Sequence, residues 1–116
     1  MDGLPDINSG ISKPDLFGKF KLQLQKDLEY CGLDGKFVAD LLPDYALIVN
    51  SIYCELKQIT KMPGKLNELL YRIDISEAQI KKASSVSTVT FDEILAELIV
   101  KRELQKIIIK EHFRNK

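Results

Sequence analysis

The sequence predicts an all-α fold: a single compact bundle of five or six helices, with a central apolar helix at about 44–62 and a long C-terminal helix at about 91–113. Three observations predict it. Apolar residues recur at steps of three and four along most of the chain. Proline, glycine and capping residues fall between those stretches. A length of 116 residues suits one hydrophobic core and leaves no room for a second domain.

Residues 1–14 carry Gly3, Pro5, Asn8, Ser9, Gly10 and Pro14, which predict an irregular N-terminal arm before a helical domain at 15–116. Ser12 or Pro14 opens the first helix. Phe17, Phe20, Leu24, Leu28 and Cys31 then lie on one face, and Gly32 suits the left-handed residue that closes it. A short helix is expected over 34–42, limited by Pro43, which is placed as the first residue of the next helix with Asp44 at its positive end. From 44 to about 62, Tyr45, Ile48, Ile52, Leu56 and Ile59 form a stripe that Leu47, Val49, Tyr53 and Cys54 widen, as in a central helix. Crowded β-branched and aromatic residues at 45–54 would also suit a strand. The helical spacing continues past any strand length, which favours the helix.

Pro63-Gly64 breaks the chain. Leu66, Leu69, Leu70 and Ile73 mark a helix at about 65–74, and Ser76 with Gln79 forms a capping-box pattern that starts a short helix through about Ala83. Residues 84–90 are expected to be a loop or a brief extended segment. Thr90 with Glu93 repeats the capping box before the last helix. The predicted core is Phe17, Phe20, Leu24, Leu28, Phe37, Leu41, Ile48, Ile52, Leu56, Ile59, Leu69, Leu70, Ile73, Ile94, Leu95 and Leu98.

The last helix has two apolar sides. Phe91, Ile94, Leu95 and Leu98 cluster on one, and Val100, Leu104, Ile107 and Ile108 roughly opposite, while Ile109 and Phe113 return to the first. Either both sides are internal, or the second is covered by another chain, most simply in a two-fold homodimer. In the second case Val100, Leu104, Ile107 and Ile108 are the apolar anchors, and Lys101, Arg102 and Lys106 form a charged rim.

Chemistry-bearing constellations are sparse. His112 is the one histidine, and Cys31 and Cys54 lack metal-ligand spacing. A metal site, a cofactor and nucleophilic catalysis are therefore not expected. Met62-Pro63-Gly64-Lys65 is too short for a phosphate loop. An enzyme is not expected. Both cysteines fall on apolar stripes, where the thiol behaves as a small hydrophobe. Their low number points to reduced thiols and a cytoplasmic setting. No apolar run approaches a membrane span, so no membrane partner is expected.

Seventeen basic residues balance seventeen acidic ones, but unevenly: six against nine in 1–60, and eleven against eight in 61–116. Lys101, Arg102, Lys106, Lys110, Arg114 and Lys116 make the tail basic, which raises nucleic-acid binding as the alternative function. The segments at 75–83 and 91 onward invite a helix-turn-helix reading. The seven-residue connection and the acidic start at Asp92, Glu93 and Glu97 oppose it.

The stretch Leu69-Leu-Tyr-Arg-Ile-Asp-Ile-Ser76, with Ile94-Leu-Ala-Glu-Leu-Ile99 and Lys101-Arg-Glu-Leu-Gln-Lys106, resembles the C-terminal part of short uncharacterised helical proteins of flavobacteria and other Bacteroidetes. The resemblance covers under half the chain and implies a bacterial cytoplasm, with no activity, ligand or site residue attached. The expected function is a non-enzymatic protein–protein interaction or adaptor domain that self-associates through its last helix.

Overall fold

A computed structural model describes residues 13–86 and 88–114; the arm expected at the N-terminus lies outside them except for Lys13 and Pro14, and so does Ser12. Five α-helices follow one another: α1 Pro14–Tyr30, α2 Tyr45–Ile59, α3 Lys65–Ile73, α4 Glu77–Val86 and α5 Phe91–Arg114. No strand occurs among the described residues.

Local chemistry sets the helix ends. Pro14 occupies the first turn of α1, where a missing N–H costs nothing. Gly32 closes that helix at φ +76°, with its N–H on the Glu29 carbonyl and the Leu33 N–H on the Leu28 carbonyl. The helix expected at 34–42 is a 3₁₀ turn at Lys36–Asp40, with the Lys36 N–H on Asp34 Oδ1. It is too short to pay for a full α-turn before Pro43. Asp44, not Pro43, caps α2: its Oδ1 accepts from the Leu47 N–H at 3.0 Å.

The first capping box closes both ways, and the second through the Thr90 hydroxyl. The Gln79 N–H donates to Ser76 Oγ and the Ser76 N–H to Gln79 Oε1; the Glu93 N–H donates to Thr90 Oγ1. α4 runs three residues beyond Ala83, so the connection to α5 is shorter than expected and begins after Val86. Ser85 Oγ satisfies the Lys82 carbonyl in this extra turn.

α5 is the spine of the bundle: α1, α2, α3 and α4 all pack on it, and the α2–α5 pairing is the most extensive. α2 is amphipathic. It buries Ile48, Ile52, Leu56 and Ile59, whereas Leu47 and Cys54 face outward. Tyr45, Val49 and Tyr53 are half-buried against the core, so only Leu47 and Cys54 of the expected apolar positions turn outward; among the described helices, α2 packs on α5 and α3. The predicted core is buried except for Phe17, Phe37 and Leu98, which are half-buried against it, and Cys31 is buried with it. Leu56→Ala, at the fully buried centre of α2, is expected to lower stability by about 2–5 kcal/mol, seen as a lower urea midpoint at unchanged slope.

Candidate functional site

The two-sided pattern of the last helix is resolved inside the fold. Val100, Leu104 and Ile107 are buried and Ile108 is half-buried against the same core. The proposed interface residues are thus not a surface. The reason is that α5 is ringed: α1, α2, α3 and α4 all pack on it. The charged rim does not hold together either. Lys101 is exposed, Arg102 donates from Nη2 to Asp74 Oδ2 at 2.9 Å and from Nη1 to Gln105, and Lys106 points inward. Among the described residues, Lys101, Arg102 and Lys106 accordingly form no continuous face. α5, the would-be recognition helix, is the most enclosed element, even though its connection to α4 is short enough for a helix-turn-helix.

Around Lys106 lies a cluster that sequence spacing did not single out. Asp27 on α1 is almost fully buried and accepts from Arg72 Nε on α3 at 2.9 Å, from Lys106 Nζ on α5 at 3.1 Å, and from Gln23 Nε2 at 3.1 Å. Arg72 also stacks on the Tyr30 ring, 3.9 Å from its centroid. Burial alone would raise the Asp27 carboxyl, but the bonds from Glu103, Gln23, Lys106 and Arg72 outweigh it and hold it below its ordinary value.

Glu103, one turn before Lys106 on α5, is completely buried. Lys106 Nζ lies 3.0 Å from its Oε1 but off the hydrogen-bond direction, so neither carboxyl oxygen has a nitrogen donor. Burial first, and then contact with Asp27, push the Glu103 carboxyl up to about 8. A proton on Glu103 directed at Asp27 supplies the missing bond, as in other carboxyl pairs that cannot both ionise. Neither residue stood out in the sequence, because an acid at helical spacing looks the same whether it faces solvent or two buried cations.

The cluster has a signed effect on stability. The folded chain keeps a proton on Glu103 that the unfolded chain releases near 4.5. This contribution is therefore complete below about pH 4.5 and is lost as pH rises to about 8. Asp27 acts oppositely, contributing above 3.8 and losing its share as pH falls through its lower folded value. Glu103→Gln is expected to flatten the decline between pH 5 and 8 and to stabilise the protein at pH 8.5 by about 1–3 kcal/mol. Urea midpoints of both proteins at pH 5, 7 and 8.5 check this.

The exposed apolar surface lies elsewhere. After the turn at Asp74, which takes the left-handed φ of 73°, α3 and α4 splay apart and do not pack on each other. Between them runs an open groove of about 480 Å³ lined by Leu66, Leu70, Tyr71, Ile75, Ile80 and Phe91, with Glu77 and Lys81 at its edge. Tyr71 is 89% exposed and Phe91 53%. None of the residues of α4 is fully buried. In the sequence, Phe91 looked like an ordinary member of a helical stripe and Tyr71 fell outside the stripe of its helix; the divergence of α3 and α4 leaves both uncovered.

His112 is exposed, with its ring edge-on to Phe113. No group of three or more potential metal ligands occurs among the described residues, and no described helix is long and apolar enough to cross a membrane. No family model, curated protein or solved structure matches the chain.

Proposed function

We propose that the chain is a protein–protein interaction domain that pairs with a second copy of itself through the groove between α3 and α4. The observation that carries this reading is the state of α4: it buries no residue completely, yet it walls an apolar groove holding an almost fully exposed tyrosine. Contiguous apolar surface of this kind marks interaction sites.

The charge pattern favours a second copy as the occupant. Glu77, Ile80 and Lys81 line the same groove from one side of α4. A two-fold axis crossing α4 at the level of Gln79 lays the two α4 helices antiparallel. Glu77 of each copy then faces Lys81 of the other, the isologous pairing that closed dimers require. These exposed pairs fix register more than affinity. Ile80 and Tyr71 supply the apolar contact.

Light scattering over a hundredfold concentration range is expected to give a mass near twice 13.2 kDa. Tyr71→Asp is expected to yield a folded monomer. Lys81→Glu or Glu77→Lys alone weakens the dimer, and the two together restore it, because the swapped pairs face each other again. A monomer at all concentrations, or a double swap no better than the single ones, overturns this reading.

A further inference from the structure

The polar cluster at the junction of α1, α3 and α5 joins the three helices through buried charge. α5 pairs most extensively with α2 and next with α1, while α3 packs more lightly on α1, α2 and α5. Asp27 is the centre of the cluster, since Arg72 ties α3 to it at 2.9 Å. Two polar links join it to α5: Lys106 Nζ at 3.1 Å, and the contact of the Glu103 carboxyl with Asp27. Further along, Lys110 reaches Gln23 at 3.0 Å, Lys19 meets Glu111, and Arg102 holds Asp74 at the end of α3.

We propose that the carboxyl pair Asp27–Glu103 is a proton-operated clamp: one shared proton pins α1 and α3 to α5, and its loss loosens them together.

The charges around the pair support a clamp that opens on deprotonation. From α1 the facing groups are Asp27 and neutral Gln23; from α3, Arg72 through Asp27; from α5, Lys106. From α2 the ionisable contact with α5 is Tyr45 on Glu97, nearly two turns away. With the proton in place, Asp27 alone is anionic and both cations converge on it. Without it, two buried carboxylates face each other and share one ammonium, and the bond between α1 and α5 becomes a repulsion. The Glu103 carboxyl titrates near 8, so the change falls in the mildly alkaline range.

The consequence reaches the surface through α3. This helix carries Arg72 into the cluster and Leu66, Leu70 and Tyr71 into the groove, so the clamp sets the position of one groove wall. That link rests on the interaction reading above; the clamp itself does not.

Amide hydrogen exchange between pH 6 and 9, converted to protection factors, tests the clamp. In the wild-type chain, protection in α1 and α3 is expected to fall about tenfold per pH unit up to about pH 8 relative to that in α2, and then to level off. In Glu103→Gln, which cannot ionise, the gap between these helices stays constant. A gap that does not widen with pH in the wild type, or widens equally in Glu103→Gln, overturns the proposal. A carbon-13 titration of the Glu103 carboxyl with an ordinary value near 4.5 overturns it as well. A monomeric wild-type chain that still shows the widening gap would remove the dimer and leave the clamp.

Discussion

Asp27→Ala is expected to cost about 3–5 kcal/mol, the largest loss for any single polar side chain in the fold. Asp27 is the anion on which Arg72 and Lys106 converge, at 2.9 and 3.1 Å, and it is 1% exposed. Removing it leaves the Arg72 guanidinium without a counter-charge, leaves Lys106 with Glu103 as its remaining carboxyl neighbour, and leaves Glu103 without the acceptor for its proton. Against a total of roughly 5–15 kcal/mol for a domain of this kind, such a loss approaches the folding threshold. A lower urea midpoint at unchanged slope is the measurement, and a loss below about 1 kcal/mol contradicts the assignment. Replacing the whole set is a different experiment. Asp27→Leu combined with Arg72→Met, Glu103→Met and Lys106→Met removes charge and desolvation cost together, and is expected to recover most of the loss.

Leu104→Asp is expected to abolish cooperative folding at neutral pH. On a dimer face this change would split an oligomer and leave the monomer intact. Leu104 is instead 1% exposed, and its neighbour Glu103 is a buried acid already. The substitution removes a core leucine, worth about 2–5 kcal/mol, and places a carboxyl without a partner beside the buried Asp27–Glu103 pair. Ile108→Asp, at a half-buried position, is expected to be milder and to leave a folded protein. Circular dichroism melts of the two variants separate these outcomes. A folded Leu104→Asp monomer would return Val100, Leu104, Ile107 and Ile108 to the surface.

The elements were legible in the sequence because their ends are local chemistry. Gly32, Ser76 with Gln79, and Thr90 with Glu93 act within three or four residues of themselves, so spacing alone locates them, whereas Asp44 caps α2 one residue after the start that Pro43 suggests. The core stripe of α2 is legible for the same reason. What spacing does not encode is which helix has neighbours on how many sides. The apolar residues of α2 at Leu47 and Cys54 face outward, and those of α5 at Val100 and Leu104 are enclosed, although both helices look two-sided in sequence. The candidate site failed to appear for a related reason. Asp27, Arg72 and Glu103 lie 45 and 31 residues apart along the chain, and each alone is an unremarkable charged residue on a helix. Only the packing of α1 and α3 on one side of α5 makes them a cluster.

The place of α5 as the spine also governs the order in which the molecule can be assembled. The helices that lean on it all precede it along the chain. During synthesis, at about 5–20 residues per second, the stripes of α1, α2 and α3 emerge before the surface that covers them exists. The acid of α1 and the guanidinium of α3 likewise emerge before the lysine that completes their set. Burial of those stripes against α5 therefore waits for α5 itself, and each earlier helix takes its place by reference to the same rod.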